Sequence, residues 1–327
     1  MAETTVVIPN WNGRRLLGRC LDALQAQTYQ DFDIILVDNG STDGSVAYLR
    51  EHFPEVRVIV NEENRGFAAA TNQGIRAAGG PRASRFIATL NNDTEAAPRW
   101  LAALVAAMET EPQVGMCASA MFFAHRPEMI NSAGIAVDRA GIAWDRLGGA
   151  PLAALGDAPE EVFGPCAGAA LYRRAMLEEI GLFDEDFFAY MEDVDLAWRA
   201  RAAGWRCLFA PQARVLHHHS ATGKEGSPFK SFHLGRNKVW LLLKNYPARE
   251  LWHHAPLALF YDLAAVLYAL LVRRDLHALR GRLAGWRDAP RMWRQRPRRD
   301  PDRAADLDLL APLVWPWRVS RRYRHIP

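Results

Sequence analysis

Cysteine is scarce in this 327-residue chain, and its few copies are widely scattered. No CxxC pair or other spacing typical of a metal-binding cysteine set occurs, which argues against a cysteine-ligated metal centre. We expect reduced thiols in the core of a cytosolic protein. The cysteines are Cys20, Cys117, Cys166 and Cys207.

Other signatures are missing as well. The N-terminus runs directly into a strand-like stretch with no charged n-region or apolar h-region, so the sequence predicts no signal peptide. Neither the GxGxxG dinucleotide fingerprint nor the GxxxxGK[ST] phosphate loop occurs, so neither of those two nucleotide-binding motifs is present. With 50% hydrophobic and 24% charged residues, the composition is that of a globular protein and not of a disordered one.

Charge of one sign is concentrated towards the C-terminus. Residues 249–327 contain 16 Arg and 8 acidic residues, a net charge of +8, whereas residues 1–248 carry a net charge of −5. A basic tail on an acidic body predicts an anionic partner for the tail. No nucleic-acid recognition motif accompanies the arginines, so we expect a membrane surface and no nucleic acid.

Up to about residue 120, short apolar runs alternate with helical patterns. This alternation predicts an α/β fold in which helices flank a mostly parallel sheet. Strands are predicted at 4–9, 32–38, 56–60, 85–90 and 114–119, and helices at 14–28, 43–52, 66–78 and 98–110.

The rest of the chain predicts two further regions. Weak periodicity predicts irregular structure and short strands over 121–165. Helices are then predicted at 173–180, 192–203 and 230–245, with a strand-like pair near 207–217. A change in composition predicts a domain boundary near 248. One domain is expected over 1–248, with halves of about 1–120 and 121–248, and a basic helical C-terminal module over 249–327.

Polar clusters follow the predicted strands. Ligands of open α/β sheets bind outside the carboxyl ends of the strands, so we expect Asn10, Asp38 and Asn91-Asn92-Asp93 to meet at one crevice. The last cluster suits a hard divalent cation, because one carboxylate and amide oxygens leave room for ligand phosphates. The alternatives are ordinary turns and helix N-caps at the same positions.

Three later segments also predict chemistry. Gly66 stands at a helix start, where backbone N–H groups favour an anionic ligand. Glu192 and Asp193 follow an aromatic stretch, which suits a general base, although carboxylates there also complement the helix dipole. Histidines 217–219 end a strand, where His217 and His219 share one face and are candidates for a metal or phosphate contact.

In their order, these motifs are similar to those of a family 2 glycosyltransferase, more narrowly the rhamnosyltransferase-like branch of bacterial enzymes that build cell-surface polysaccharides. The resemblance covers about residues 4–247 and implies a GT-A fold, a nucleotide-diphosphate sugar donor, Mg²⁺ or Mn²⁺, and inversion at the anomeric carbon. The motifs are VVIPNWNG, ILVDNGSTDGS, NRGFAAATNQGI, LNNDTEAAPRWL, GPCAGAALYRR, GLFDEDFFAYMEDVDLAWRARAAGW, VLHHHSATG and RNKVWLLLKNYP.

The resemblance implies catalytic and metal-binding roles for a few residues. Asp193 would be the catalytic base, with Glu192 beside it. Asp93 would bind the metal, and His217 would contact the metal or the diphosphate. Asn91 departs from the family, in which many relatives have Asp, so metal binding would depend more on the phosphates of the donor.

The resemblance also implies a set of binding residues. The nucleotide sugar would contact Pro9, Asn10, Asp38, Arg65, Gly66, Asn91, Asn92, Arg236 and Asn237. The transferred sugar or the acceptor would lie against Gly168 and Ala169.

The resemblance predicts a non-processive enzyme, because the QxxRW motif and the transmembrane bundle of processive synthases are absent from the sequence. The expected donor is TDP-rhamnose, with UDP- and GDP-sugars as alternatives, and the expected acceptor is a glycan or a lipid-linked glycan. A catalytically inactive GT-A domain that serves as a nucleotide-sugar-binding or scaffolding subunit is the competing interpretation. A sugar-1-phosphate nucleotidyltransferase would need an N-terminal GxGxRL-type loop that the chain lacks.

The C-terminal region offers two features for membrane contact. The apolar run 255–272 has the minimum length for a span, but Asp262 near its middle would cost about 2.5–3.5 kcal/mol on insertion scales. Next, Leu276, Leu279, Leu283 and Trp286 lie on one helical face with arginines beside it, a pattern typical of an interfacial helix on anionic lipid. Packing on the catalytic domain or a partner subunit is the alternative. We expect a cytoplasmic protein, peripheral on the cytoplasmic face of the inner membrane.

Overall fold

The computed structural model describes residues 2–80, 83–218, 227–296, 309–315 and 317–318. Within these residues a ten-stranded mixed sheet is flanked by helices on both faces. The strands, including a separate two-stranded ribbon, are β1 (Thr4–Asn10), β2 (Phe32–Asn39), β3 (Arg57–Asn61), β4 (Phe86–Leu90), β5 (Thr94–Ala96), β6 (Val114–Phe123), β7 (Arg126–Ser132), β8 (Ile135–Val137), β9 (Ala143–Asp145), β10 (Glu160–Glu161), β11 (Ala169–Arg173) and β12 (Arg206–His217).

The helices confirm the predicted positions to within a few residues at each end. They are α1 (Arg14–Gln25), α2 (Ser45–His52), α3 (Phe67–Ala77), α4 (Trp100–Met108), α5 (Arg174–Ile180), α6 (Glu192–Ala202), α7 (Pro228–Asn245), α8 (Ala248–Leu271), α9 (His277–Arg287) and α10 (Ala289–Arg294).

The sheet has a parallel half and a mixed half. Its strand order is β10-β12-β6-β11-β4-β1-β2-β3, and β3, β2, β1 and β4 are mutually parallel. β11 then runs antiparallel between β4 and β6. The parallel strands therefore end at one edge, where the predicted polar clusters come together.

Alternate residues of the central strand enter two hydrophobic cores. Val6 and Ile8 of β1 pack into the core that contains α1 and α4, whereas Val7 packs into the core that contains α3 and α6. This is the two-sided burial expected of a parallel strand covered by helices on both faces. The four cysteines are free thiols that are buried or half-buried.

In the second half one sequence expectation needs correction, and another, the short strands over 121–165, is confirmed. The strand-like pair near 207–217 is one long strand, β12, whose pairing with β6 shifts register between Ala210 and Arg214. The shift accounts for the interrupted pattern, because a bulge moves the following side chains out of strict alternation. The weakly periodic region 121–165 contains the end of β6 and the short strands β7 to β10.

The C-terminal helices pack on α7. Gly281 and Gly285 face α7, and an added Cβ on Gly281 would lie 2.1 Å from the Phe232 carbonyl oxygen. Glycine therefore lets α9 approach α7 at backbone contact distance. Arg296 donates to the carbonyl oxygens of Leu243 and Tyr246, which ties the end of the helical region to the end of α7.

A short C-terminal segment returns to the sheet domain. The backbone N–H of Ala311 donates to the Val137 carbonyl oxygen at 2.8 Å, and that of Val314 donates to Asp138 Oδ2 at 3.1 Å. Trp315 stacks on Tyr261 of α8 with the ring centroids 4.9 Å apart. These contacts join the ribbon of β8 and β9 to the C-terminal region.

Candidate active site

A cavity of about 630 Å³ opens at the carboxyl ends of β1 and β4 and continues between the helices. Its sheet end is lined by Pro9, Asn10, Asn91, Asn92 and Asp93, as the strand-end clusters predict. Glu192 and Asp193, at the start of α6, line the same cavity. Gly168 lines it too, and the next residue, Ala169, is buried in β11.

A buried hydrogen-bond chain fixes the first strand end. Asn92 Nδ2 donates to Asn10 Oδ1 at 2.6 Å, and Asn10 Nδ2 donates to Asp38 Oδ1 at 2.7 Å. Asp38 is fully buried and also accepts from the Ser41 backbone N–H at 2.9 Å. Asn10 and Asn92 line the cavity, and Asp38 holds them from behind.

Asn39 is a cavity residue that sequence reasoning missed as a site residue. Asn39 Nδ2 donates to Asn64 Oδ1 and to the Gly66 carbonyl oxygen, at 3.0 and 3.1 Å. Gly66 has φ +87°, and an added Cβ would lie 2.5 Å from the Phe188 carbonyl oxygen, so only glycine fits. Arg65 is exposed and does not line the cavity, whereas Asn39, Asn64 and Gly66 do.

Asp93 and His217 meet at the sheet end. His217 Nε2 lies 3.2 Å from Asp93 Oδ1, and His217 Nδ1 lies 2.8 Å from Asn131 Oδ1. Because an amide oxygen only accepts, Asn131 fixes the tautomer with a proton on Nδ1 when the ring is neutral. Asn131, in the region expected to be irregular, was another missed residue.

Charge raises the pKa of His217. Burial disfavours the imidazolium, but the carboxylates of Asp93 and Asp145 outweigh burial, and the pKa rises above its ordinary value. The neighbouring His218 is turned away and pairs with Glu95 at 2.6 Å. His219, which was predicted to share a face with His217, lies outside the described residues.

The two candidate catalytic carboxyls differ in environment. Asp193 accepts from the backbone N–H groups of Val194 at 2.8 Å and Ala167 at 3.2 Å. Glu192 Oε2, by contrast, is buried and has no hydrogen-bond partner among the residues that the structure describes. Burial raises the pKa of Asp193 to about 6, with a further contribution from Asp145. Burial and the adjacent Asp193 raise the pKa of Glu192 much further above its usual range.

The loop before these carboxyls has an unusual backbone. Phe188, Tyr190 and Met191 have φ values of +64°, +68° and +68°, in the left-handed region that non-glycine residues rarely adopt. Such conformations cost about 1–3 kcal/mol each and persist only where the surroundings enforce them. The loop therefore holds Glu192 and Asp193 in place at the expense of local strain.

Asn237 and Arg236 are the residues that hold this loop. Asn237 Nδ2 lies within 3.0 Å of the carbonyl oxygens of Phe187, Ala189 and Tyr190, and Arg236 Nη2 donates to that of Phe187 at 3.0 Å. Arg236 also lies over the Trp240 ring at 4.1 Å. The structure does not bring these two side chains to the cavity; it places them behind the loop, away from the expected phosphate position.

The ribbon of β8 and β9 contributes further cavity residues. Trp144 and Asp145 of β9 line the cavity, and Asp145 acts on the pKa values of both Asp193 and His217. No motif in the sequence pointed to this acidic residue. The only sign of it was a short Ala-Trp-Asp run within an otherwise weakly periodic region.

The C-terminal helices meet the cavity with their inner faces. Asp262 of α8 points inward and pairs with Lys238 Nζ at 3.1 Å and with Arg282 Nε at 2.8 Å. The stretch Glu250–Leu271 is long and apolar enough to cross a membrane by length and composition alone, and only 22% of it is buried. The predicted stripe on α9 also faces outward: Leu276, Leu283 and Trp286 are exposed.

Comparison with known sequences identifies the family. Residues 5–181 match the profile of the family described as Glycosyl transferase family 2. The chain belongs to this family. This confirms the resemblance seen in the motifs, and the protein is therefore a glycosyltransferase.

Named relatives place the enzyme near the rhamnosyltransferase-like branch. It is 29% identical over 267 residues to the N-acetylglucosaminyl-diphospho-decaprenol L-rhamnosyltransferase of Mycobacterium tuberculosis, covering 74% of this chain and 83% of the relative. It is 30% identical over 236 residues to the O-antigen biosynthesis protein RfbC of Myxococcus xanthus, covering 67% of this chain and 18% of that protein.

Solved structures confirm the fold. GalNAc-T7 with UDP, GalNAc and Mn²⁺ is similar with a TM-score of 0.62 and 18% identity, covering 89% of this glycosyltransferase and 56% of that chain. TarS 1–349 of S. aureus in complex with UDP-GlcNAc gives a TM-score of 0.58 at 17% identity, covering 89% and 81%. PcManGT of Pyrobaculum calidifontis, with GDP-Man and Mn²⁺, gives 0.53 at 19% identity, covering 88% and 87%.

Proposed function

We propose that this family 2 glycosyltransferase is a metal-dependent, inverting and non-processive enzyme that transfers a sugar from a nucleotide-diphosphate donor to a lipid-linked glycan acceptor. The observation that carries the proposal is that two chemically different groups line one cavity. The Asp93–His217 pair and the Asp193 carboxyl both line it. The first suits a leaving diphosphate and the second a hydroxyl nucleophile.

Asp193 is the proposed general base. A base works best when its pKa lies near the working pH, and burial raises the pKa of Asp193 to about 6. Burial and the adjacent Asp193 raise the pKa of Glu192 well above its ordinary value. Environments that push two neighbouring carboxyl pKa values apart separate their roles, so Asp193 is the group that takes the acceptor proton.

The residues at the sheet end fit a divalent cation. Asp93 Oδ1 and His217 Nε2 lie 3.2 Å apart at the cavity, so a carboxylate oxygen and an imidazole nitrogen would be the two groups that hold the cation. Asn131 holds His217 Nδ1, which leaves Nε2 as the ligand atom. When bound, the cation would neutralise charge that develops on the leaving diphosphate.

Two protein ligands leave most of the coordination sphere to the donor. Within the described part of the chain, no three His, Cys, Asp or Glu side chains converge closely enough to hold a metal by themselves. The donor's phosphates and water would complete the shell, as Mg²⁺ sites in phosphate-binding enzymes often do. Metal affinity should therefore be weak without the nucleotide sugar and tighter with it.

Direct displacement follows from the placement of a single base. Asp193 removes the proton of the acceptor hydroxyl as its oxygen attacks the anomeric carbon, and the bond to the leaving diphosphate breaks on the opposite face. The reaction needs no covalent enzyme intermediate, so the anomeric configuration inverts. Pro9, Asn10, Asn39 and Gly66 line the same cavity on the nucleotide side.

Rhamnose is the proposed sugar, and the acceptor is proposed to be lipid-linked. Support comes from the mycobacterial relative, whose name specifies an L-rhamnosyltransferase acting on a diphospho-decaprenol acceptor. TDP-rhamnose is accordingly the first donor to test, before UDP- and GDP-sugars. The product would be an intermediate of cell-surface polysaccharide synthesis.

A peripheral position on the cytoplasmic face of the membrane completes the proposal. The outer face of α8 is apolar and exposed along its length, and the exposed Arg273 and Arg274 follow its end. An apolar helical face with basic residues is typical of a helix that lies in an anionic membrane interface. The residues of that face are Trp252, Leu259, Phe260, Leu263, Leu267 and Leu271.

Turnover of two matched variants tests the central role of Asp193. Asp193→Asn should bind the donor normally and lose about 10³-fold in turnover, because general-base catalysis contributes roughly that much. Glu192→Gln is the control, since it makes the same carboxyl-to-amide change at the neighbouring residue. Near-normal turnover of Asp193→Asn together with a large loss in Glu192→Gln would reverse the assignment.

A further inference from the structure

The helical end of the cavity carries positive charge that the catalytic chemistry does not use. Lys230 and Lys238 of α7, Arg273 after α8 and Arg282 of α9 all line it. The sheet end of the same cavity is lined by acidic side chains, those of Asp93, Asp145, Glu192 and Asp193. One cavity therefore has an acidic end where the reaction takes place and a cationic end some distance away.

Acidic residues only partly neutralise the cationic end. Among the residues that the structure describes, the buried Lys238 and Arg282 pair with the same carboxylate, that of Asp262, at 3.1 and 2.8 Å. Asp275 also lines the cavity, and its carboxylate pairs with His277 at 3.2 Å. Asp138 also acts on Lys238 but accepts three backbone N–H bonds of its own.

Burial makes this charge sensitive to a ligand. Loss of hydration lowers the pKa of Lys238, and the positive charge of Arg282 lowers it further, against the opposing effect of Asp262. A buried cation with less than a full counter-charge is stabilised by an added anion. The cationic end is therefore suited to a ligand with more than one negative charge.

The spacing along α7 fits a bridging ligand. Lys230, Leu234 and Lys238 lie on one face of α7 and line the cavity over about 12 Å of helix rise. At its start, α7 contacts the catalytic loop, because the rings of Phe229 and Tyr190 are 6.2 Å apart. That rise is comparable to the length of a sugar with a diphosphate on its anomeric carbon.

The cationic end also opens beside the apolar face of α8. Tyr268 and Arg273 line the cavity, while Leu267 and Leu271 of the same helical segment are exposed. A ligand whose diphosphate lies at the cationic end would have its lipid chain next to this apolar surface.

From these observations we infer that Lys238, Arg273 and Arg282 form a subsite for the diphosphate of a lipid-linked acceptor, which places the acceptor sugar against Asp193. The inference rests on the proposed function and names the part of the acceptor that the helical end recognises. The diphosphate bears the charge that the subsite binds, and it takes no part in the transfer.

Binding of two synthetic acceptors tests the subsite. The probes are N-acetylglucosamine joined to a farnesyl chain through a diphosphate and the same sugar joined through a neutral ether, each titrated calorimetrically in neutral detergent without donor. Arg273→Gln should weaken the diphosphate probe about tenfold and leave the ether probe unchanged, because only the diphosphate accepts charge-assisted hydrogen bonds from the guanidinium. Arg273 is exposed, so this variant should fold normally.

Arg274→Gln is the matched control, because Arg274 is the next residue, is exposed and does not line the cavity. The subsite would be overturned if both variants lost affinity for the diphosphate probe equally, or if one variant lost affinity for both probes equally. It would also be overturned if affinity were lost only when the probe is presented in anionic vesicles, because the cations would then bind membrane headgroups. Because the readout is binding, absence of sugar transfer in a separate assay would count against the proposed function alone.

Lys238→Met provides a second variant inside the subsite. It should weaken the diphosphate probe at least as much as Arg273→Gln, because Lys238 is the buried member of the cluster. The same variant is also titrated calorimetrically with a TDP-sugar donor, so that its losses of affinity for the donor and for the diphosphate probe can be compared. A larger loss for the donor than for the diphosphate probe would show that the cations serve the donor, which contradicts the inference.

Discussion

The two ends of the cavity are built by different kinds of structure. At the sheet end, Asn10 ends β1 by pairing with Asp38 of β2, Asn92 and Asp93 follow the end of β4, and acidic groups dominate. Helix faces supply the other end, where Lys238 and Arg282 are set by packing between α7, α8 and α9. The comparison suggests that the sheet end determines the chemistry and the helical end selects the acceptor.

Removal of the Asp93 carboxylate should produce the largest effect. Asp93→Ala takes away the only carboxylate of the strand-end cluster, so transfer should fall below detection while the fold is kept. Activity measured with Mg²⁺ or Mn²⁺, alongside the melting temperature, checks both parts. Full activity in this variant, or in the wild type with excess EDTA, would refute a metal site at the sheet end.

The pH profile should show the titration of Asp193. Its carboxylate must be ionised to accept a proton, so kcat/KM should fall about tenfold per unit as the pH drops below about 6. If Asp193 had the ordinary aspartate pKa of 3.8, kcat/KM would begin to fall about two pH units lower. An acid-side fall that persists in the residual activity of Asp193→Asn would assign the titration to another group.

The same shift has the opposite consequence for stability. A carboxyl whose pKa is higher in the folded than in the unfolded state binds more protons when folded, so stability falls as the pH rises from about 4 to about 6. Asp193→Asn removes this cost and should raise the melting temperature at pH 7.5 but not at pH 4. An equal change at both pH values would contradict the burial argument.

Asn237→Ala should produce a smaller change that separates two roles. If Asn237 holds the strained loop, turnover should fall about tenfold while the donor's dissociation constant stays within twofold, since only the position of Asp193 changes. If Asn237 contacts the phosphates, as the resemblance implied, donor binding should weaken first. Calorimetric titration of the donor and a kcat measurement on one protein sample decide between them.

Much of the sheet end could be predicted because the positions at which strands end are local properties of the sequence. Residues that follow neighbouring parallel strands must meet at one edge, and this brought Asn10 and Asn91-Asn92-Asp93 to the cavity. What could not be predicted is which side chain of a cluster faces inward. Asp38 lies behind Asn10, and Asn39, one residue later on the other side of the strand, lines the cavity instead.

The remaining site residues depend on long-range packing. Asp145 and Asn131 come from short strands without clear periodicity, so only the folded chain shows that they act on Asp193 and His217. Asp262 is a similar case. From the sequence, its carboxylate was expected to make membrane insertion of the apolar run unfavourable. In the structure it pairs with Lys238, which is 24 residues away in α7.

The smallest expected effect concerns the outer face of the helical end. If α8 lies in an anionic interface, replacing exposed apolar side chains should weaken binding to anionic liposomes several-fold, because each loses apolar area that membrane contact would bury. Leu259→Ser with Leu263→Ser tests this, and Val60→Ser is the matched control, since Val60 is about equally exposed but lies on β3. Sedimentation with liposomes at increasing salt measures the partition.

Salt distinguishes the contributions to this binding. Near-surface arginines contribute about 1 kcal/mol each and are screened, so binding should weaken with salt, while the apolar contribution of α8 remains. Truncation after about residue 250 should reduce binding sharply, because it removes the apolar face of α8 together with the basic residues. A protein that is released only by detergent and is indifferent to salt would instead indicate a spanning helix. A soluble oligomer that ignores liposomes would show that the apolar face of α8 packs on a second subunit, and the membrane would then have no part in presenting the acceptor to Asp193.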